Sequence, residues 1–396
     1  MQIALIVDAF PPMRSSGAVQ MRDLYVEFVN QGFHPTVIVP SPELNCSWQI
    51  EQWNGGQILR LKAPKTKDVG YVRRTISELL MPFAMLRNLR GSSLLKQRWD
   101  GIVWYSPTIF WGPLVKSLKQ SSACRSYLII RDIFPEWAVD IGIMKRGLTY
   151  RFFKIIEQFQ YSIADVIGVQ TPANIAYFKK LSSQSNQRVE VLQNWLADSP
   201  NVGCSISVSD SVLAGRKIFV YAGNMGVAQG MDILLSLAES LIDRKDLGFL
   251  FVGRGSSAKR LLSESKARGL DNTAFFEEID TSEIPGLYAQ CHVGLVVLDP
   301  RHKTHNIPGK FLSYMQSGLP VLASINPGND LADLITCRRV GRVCKDSSVA
   351  TLTLLAEELV REINLDVEIK ARCQTLSTEL FSPKIAVNQI MLALTK

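Results

Sequence analysis

A strand, a glycine-bearing turn and a helix recur along this chain in two series, separated by a break in texture near residue 200. Ile3–Val7, Thr36–Val39, Gly101–Tyr105, Tyr127–Ile130, Val166–Val169 and Val189–Leu192 read as short apolar strands. They are interleaved with helical stretches such as Asp23–Asn30. Apolar β-branched strands alternating with helices predict a parallel sheet covered on both faces. Between Asp198 and Val212 the run DSPNVGCSISVSDSV is rich in Ser, Pro and Gly, carries no period, and is the best linker candidate. The alternation then restarts. Lys217–Tyr221, Gly248–Val252, Thr273–Phe276, Val293–Val297 and Pro320–Ala323 read as strands, with helices over Asp232–Leu241, Ser257–Arg268 and Lys310–Gln316.

The 396 residues are too many for one ordinary core and suit two. The expected fold class is α/β, with two Rossmann-like doubly wound domains whose ligands lie at the carboxyl ends of the strands. The expected domains are residues 1–200, residues 201–375 and a helical segment over 376–396. The N-terminus has no basic leader, and its apolar run stops at Asp8, so no secretory signal is expected. No stretch of about 18 uncharged apolar residues predicts a membrane span. The seven cysteines are odd in number and show no C-x-x-C spacing, which fits reduced thiols in a cytoplasmic protein. His302 and His305 stand three apart with no carboxylate or cysteine in a zinc pattern, and no metal site is expected.

Charge is unevenly placed. The net charge is +8, and residues 60–98 alone hold ten Lys or Arg against Asp68 and Glu78, an excess of the same size. That concentration excludes a uniformly basic nucleic-acid binder. Within it, GYVRRTISELLMPFAMLRNLR sets Val72, Ile76, Leu79, Phe83 and Leu86 among Arg73, Arg74, Arg87 and Arg90. A basic amphipathic segment of this kind suits an anionic membrane face. Pro82 argues against one straight helix there.

Several turns could carry chemistry. Gly17 closes the first turn, DAFPPMRSSG, ahead of a helix, where backbone N–H groups can approach a phosphate or a sugar. VYAGNMGVAQGMDIL places Gly223, Gly226 and Gly230 in the matching turn of the second series. FVGRGS follows another strand and offers Arg254 to a phosphate. In HNIPGKFLSYMQSGLPVLAS, Gly309 and Lys310 open a helix. A lysine in a first turn opposes the helix dipole unless an anion is bound, so a diphosphate site is expected here. In LIIRDIFPEWAVDIG, Asp132 and then Glu136 are the carboxylates that could orient or deprotonate an acceptor hydroxyl. No D-x-D pair stands ready to hold a metal–diphosphate complex, so protein cations and helix dipoles are expected to offset the leaving charge without a metal cofactor.

Taken together, the first turn ending at Gly17, VLQNWLAD, YAGNMGVAQGMDILL, FVGRGS and PGKFLSYMQSGLPVLA resemble family 4 glycosyltransferases of the GT-B fold. The match covers nearly the whole chain. GNMGVAQG with RDIFPE is similar to the subgroup that builds O-antigen and capsule repeats. Within that subgroup it is similar to bacterial transferases of N-acetyl-L-fucosamine. The resemblance implies two Rossmann-like domains facing across a cleft, a UDP-sugar donor and an undecaprenyl-diphosphate-linked sugar acceptor. It also implies a peripheral position on the cytoplasmic face of the inner membrane. Donor contacts would fall on Gly223, Asn224, Gln229, Arg254, Gly309 and Lys310. The chain departs from the family pattern where an Arg and a Lys become Asn224 and Gln229, two glutamates become His305 and Ser313, and a histidine becomes Arg131. Lys310 with Arg254 is then left to carry the diphosphate.

Two rival functions use the same features. A UDP-sugar 2-epimerase of this fold would need several carboxylates and histidines around the sugar, and only Asp132, Glu136 and His305 are candidates. A non-catalytic membrane-associated binding protein would bind lipid and turn over no nucleotide sugar.

Overall fold

β1 (Gln2–Ile6) is buried along nearly all its length, as an uncharged strand at the centre of a parallel sheet must be. It pairs with β2 (His34–Pro40) on one side and β5 (Gly101–Ser106) on the other. α1 (Ser16–Asn30) connects β1 to β2, and the Ser15 hydroxyl caps it by accepting from the Ala18 N–H at 3.3 Å. β3 (Trp48–Trp53) and β4 (Gly56–Leu61) form a hairpin, antiparallel about Asn54 and Gly55. Both turn residues have positive φ, the geometry that Asn-Gly supplies readily.

The chain continues through α2 (Tyr71–Arg90), α3 (Gly112–Ser122), β6 (Arg125–Ile130), α4 (Glu136–Asp140), α5 (Leu148–Ile163), β7 (Val166–Val169), α6 (Pro172–Leu181) and β8 (Arg188–Val191). The strand order is β3-β4-β2-β1-β5-β6-β7-β8, parallel apart from β3. α2 is one continuous helix with Pro82 inside it, where the proline argued against one straight helix. Pro82 is buried with Met81, Met85 and Leu89, and that burial offsets the hydrogen bond the proline cannot donate.

A second sheet is built from β9 (Lys217–Ala222), β10 (Leu247–Val252), β11 (Thr273–Phe276), β12 (Val293–Val297), β13 (Val321–Ser324) and β14 (Gly341–Cys344). Its order, β11-β10-β9-β12-β13-β14, is wholly parallel and reverses direction between β9 and β12. α7 (Asp232–Ser240), α8 (Ala258–Ala267), α9 (Ile284–Tyr288), α10 (Gly309–Gln316), α11 (Asp330–Arg338), α12 (Val349–Leu365) and α13 (Ile369–Leu380) accompany it. Fully buried Phe219, Phe249, Val293 and Leu295 lie on one side of this sheet's core, and Val220, Leu250, Val296 and Tyr314 on the other. The alternation of these residues along single strands is what a sheet covered on both faces requires.

The computed structural model describes residues 1–396 apart from 14, 141, 182–186, 227–228, 299–306, 327 and 396. One unit comprises Met1–Trp195 together with Pro383–Lys396, and the other Leu196–Ser382. The chain therefore changes unit at Trp195–Leu196, ahead of the expected linker. Residues 198–212 are part of the second unit. Ile206 and Val208 are buried in its core, and the Gln290 side chain accepts from the Val208 N–H at 2.9 Å. The final segment also divides. Residues up to 382 stay with the second unit, while α14 (Pro383–Thr395) returns to the first. Ala386, Val387, Ile390, Met391 and Leu394 of α14 are buried in the first unit's core, and the Gln389 side chain donates to the Val191 carbonyl at 2.7 Å.

Candidate functional site

Both sheets reverse strand order between their first strand and a neighbour, and ligands of such sheets bind at that point outside the carboxyl ends. In the second unit the reversal lies between β9 and β12. β9 ends in Tyr221 and Ala222, with Gly223 following, and the next described helix after β12 is α10. α10 begins on Pro308, has no side-chain cap and carries no acidic residue in its first turn. The helix start thus lacks a side-chain cap, and Lys310 is the cation in its first turn. The Lys310 Nζ lies 3.5 Å from the centre of the Tyr221 ring, and the Tyr221 hydroxyl donates to the Asn224 carbonyl at 2.8 Å. Lys310 is part-buried along its length. Burial of its ammonium end strips away water and lowers its pKa to about 7.

The glycine turns are held against one another. The Gly223 N–H donates to the Val252 carbonyl at 2.9 Å, and the Met225 N–H to the Arg254 carbonyl at 2.7 Å. A Cβ on Gly253, whose φ is +143°, would stand 2.0 Å from the Gly223 carbonyl oxygen. Only glycine can occupy that position. A Cβ on Gly223 would meet nothing nearer than the Lys310 side chain at 3.9 Å, so the backbone there is open towards the lysine. Asn224 is exposed, Gln229 is part-buried with its N–H on the Gly226 carbonyl at 3.1 Å, and Gly309 is exposed. Of the donor candidates in this unit, Gly223 and Lys310 are thus brought into direct proximity, with Asn224 tied to Tyr221. Arg254 sits apart. Its side chain is 78% exposed and paired to Glu278 at 3.0 Å, on the wall of a cavity of about 480 Å³. Met225, Gly253, Phe276 and Glu277 also line that cavity.

In the first unit the reversal lies between β1 and β5. Gly17, in the first turn of α1, backs onto Tyr105 at the end of β5, where a Cβ would be 3.2 Å from the ring. Gly17 thus lies against the end of β5 within the first unit. The Tyr105 hydroxyl is buried and its pKa is pushed well up, by loss of water first and then by the fields of Asp132 and Asp8 acting against that of Arg131. Those effects place both carboxylates near it. Asp8 also pairs with Lys67 at 3.3 Å.

The three charged residues of RDIFPE diverge in their surroundings. Asp132 is exposed. Arg131 is buried and donates to the carbonyls of Leu192 at 3.0 Å and Gln193 at 3.3 Å. Its guanidinium lies 4.7 Å from the centre of the Trp195 ring, and burial lowers its pKa to about 10. Arg131 ties the end of β6 to the end of β8. Glu136 turns into helix packing, accepting from the Tyr150 hydroxyl at 2.8 Å and pairing with Lys154 at 3.1 Å. Lys154 is also paired to fully buried Glu157, whose pKa burial raises to about 7. Asp132 is thus the carboxylate of the two that remains on the surface.

Sequence reasoning missed Tyr221, Tyr105 and Asp8. Each ends or follows one of the strands at a reversal, so strand order was the missing signal. Among the described residues no three His, Cys, Asp or Glu side chains gather as a metal site. His302 and His305 lie outside the described residues. No helix of the described residues is long and apolar enough to cross a membrane.

Residues 216–362, which contain every strand of the second sheet, match the family model described as Glycosyl transferases group 1. The chain is 26% identical over 252 residues to the probable glycosyltransferase WbjE of Pseudomonas aeruginosa, covering 61% of each. The match thus spans less than two thirds of that relative. It is 23% identical over 340 residues to the putative colanic acid biosynthesis glycosyl transferase WcaI of Escherichia coli K12, covering 81% of this chain and 80% of WcaI. Among solved structures, sucrose-phosphate synthase from Thermosynechococcus elongatus superposes with a TM-score of 0.74 at 14% identity, over 99% of this chain and 97% of that one. HepE of Anabaena, solved with UDP, superposes with a TM-score of 0.68 at 12% identity over 100% of both chains. These structures establish the fold, the two parallel-sheet α/β units of GT-B glycosyltransferases. The group 1 match and both named relatives support a GT-B glycosyltransferase.

Proposed function

We propose that this chain is a family 4 glycosyltransferase that moves a sugar from a UDP-sugar to an undecaprenyl-diphosphate-linked sugar, in assembly of an O-antigen or capsule repeat. N-acetyl-L-fucosamine or a close relative is the proposed sugar. The observation that carries the reading is Lys310: a lone cation in the uncapped first turn of α10, beside Gly223 and over the Tyr221 ring. An ammonium held against a helix dipole and short of water is stabilised by an anion, and a diphosphate fills that need. The cavity beside Arg254 and Glu278 offers room for the nucleoside. That HepE was solved with UDP supports a UDP-linked donor, and the name of WcaI supports polysaccharide assembly.

In the proposed reaction the bond between the sugar's anomeric carbon and the β-phosphate oxygen breaks, and a bond to the acceptor hydroxyl oxygen forms. The leaving diphosphate is stabilised by Lys310 and the α10 N-terminus, with no protein-held metal. Asp132 orients the acceptor hydroxyl and takes its proton. α2 meets the anionic cytoplasmic face of the membrane, where the lipid-linked acceptor resides. Its exposed Tyr71, Val72, Ile76 and Phe83 alternate with cations, of which Arg73, Arg87 and Arg90 have no ion-pair partner among the described residues.

The deciding experiment is calorimetry and turnover with a panel of UDP-, GDP- and dTDP-sugars and a synthetic polyprenyl-diphosphate sugar. UDP binding with acceptor-dependent release of UDP supports the proposal. Conversion of UDP-N-acetylglucosamine to an epimer without acceptor would replace it by the epimerase reading. Binding of lipid with no turnover of any nucleotide sugar would leave only a binding protein.

A further inference from the structure

α5 carries an exposed apolar stripe that no part of the proposed reaction uses. Leu148, Phe152, Ile155 and Phe159 are spaced four, three and four residues apart, which places them on one face of the helix. Leu148 is 84% exposed and Ile155 68% exposed. The opposite face is fully engaged, with Phe153, Glu157, Gln160 and Tyr161 buried. The stripe is therefore not a core face displaced by local packing. Exposed Ile143 extends it into the preceding turn. Contiguous apolar surface of this kind is rare on a protein that meets only water.

Charge around the stripe identifies what covers it. Lys145, Arg146 and Arg151 are exposed along its edge, and the Lys116 ammonium of α3 lies 5.8 Å from the centre of the Phe159 ring. Between residues 142 and 162 the described exposed residues include no acid. Glu157, which could have balanced them, is buried and paired with Lys154. A second copy of this face would set cation against cation. A neutral apolar partner would leave the cations unanswered. A surface with an anionic headgroup layer over an acyl layer satisfies both halves.

α5 packs against α3, and so does α2, so both helices belong to the layer on one face of the sheet. Each presents apolar side chains among arginines and lysines. We propose that the α5 stripe inserts into an anionic bilayer as a second line of contact, parallel in role to α2. Two lines fix the rotation of the unit on the membrane, whereas one amphipathic helix leaves it free to roll. The proposal rests on the reading of this unit as membrane-facing, and the two helices are separable by mutation.

The test is co-sedimentation of the full chain with vesicles of phosphatidylcholine containing phosphatidylglycerol, and with phosphatidylcholine alone, in the absence of nucleotide sugar. Leu148→Ser with Ile155→Ser removes apolar groups that are exposed in the folded chain, so melting temperature and UDP affinity should stay at wild-type values. The expected result is at least a tenfold loss of partitioning onto anionic vesicles for this pair, with little binding of any form to neutral ones. Wild-type partitioning of the pair overturns the proposal and leaves α2 as the only contact. A tenfold loss for the pair, with no loss for Arg73, Arg74, Arg87 and Arg90 changed to Ser, upholds α5 and removes the α2 reading. A wild-type chain that ignores anionic vesicles overturns both. Conversion of a dimer to a monomer by the pair, with vesicle binding unchanged, makes the stripe a self-association surface and overturns the proposal.

Discussion

The carboxyl edges of the two sheets are built on one topology and end in opposite chemistry. At the reversal in the second unit, a lysine in a helix first turn that holds no acidic residue lies over an aromatic ring, next to an open glycine backbone. At the reversal in the first unit, the corresponding strand ends bring Asp8 and Asp132 near a buried tyrosine hydroxyl. Among the described residues, the arginine whose field reaches that hydroxyl, Arg131, is committed to backbone carbonyls. In the proposed reaction the second edge takes the anion, and the first takes the hydroxyl that must be oriented or deprotonated. The fold supplies the place, and a few side chains decide which half of a transfer reaction each place can serve.

Asp132→Asn should break this division most severely. Turnover should fall a hundredfold to ten-thousandfold, the usual range for losing a positioned acid–base group, while UDP affinity stays at the wild-type value. Wild-type turnover removes Asp132 from the chemistry. Gly253→Ala should come next, because its Cβ would run into the Gly223 carbonyl and φ is positive there. Strain and overpacking together should cost about 3 kcal/mol or more of stability, measured by chemical denaturation. An unchanged midpoint would show that the two glycine turns are not locked together.

Lys310→Ala should weaken UDP binding by about 1.5–3 kcal/mol, the contribution of a charge-assisted hydrogen bond. Calorimetry that finds no loss would end the anion assignment. A smaller effect follows from pH. With the folded pKa of Lys310 lowered to about 7, against roughly 10.4 in the unfolded chain, the unfolded state binds the extra proton between those values. Stability should therefore rise with pH across that window, and Lys310→Met should lose that slope. If UDP is held by this ammonium as proposed, it should bind more weakly as pH rises through 7 and take up a proton on binding. Equal heats in buffers of different ionisation enthalpy would refute that uptake. Arg254→Ser should change least, by about 1 kcal/mol or less, since its exposed side chain is already paired to Glu278. A loss as large as that of Lys310→Ala would make Arg254 an equal phosphate ligand.

Much of the architecture was legible. The strands at Val166–Val169, Thr273–Phe276 and Val293–Val297 coincide with those observed, because each is a short, mostly apolar run too brief for a helix. The β3–β4 hairpin was missed although Asn54-Gly55 marks its turn, since its strands are only partly apolar. The 198–212 stretch read as a linker because Ser and Gly outnumber its apolar residues, yet Ile206 and Val208 anchor it in the second unit's core while most of its other residues stay exposed. In the candidate site, Lys310 and Gly223 were visible as turn residues at helix and strand ends. The fates of Arg131 and Glu136 were not, because nothing local distinguishes a carboxylate facing solvent from one paired to a lysine a helix away.

By itself, then, the sequence determined the two doubly wound sheets, the glycine turns and the basic amphipathic stretch, all of which follow from periodicity and residue type over a few neighbours. Tertiary structure alone decided that α14 completes the first unit, that Gly17 answers to Tyr105, and that Lys310 rests over Tyr221. Those pairings join residues about 90 or more positions apart. They depend on strand order, which side-chain patterning within a segment does not encode.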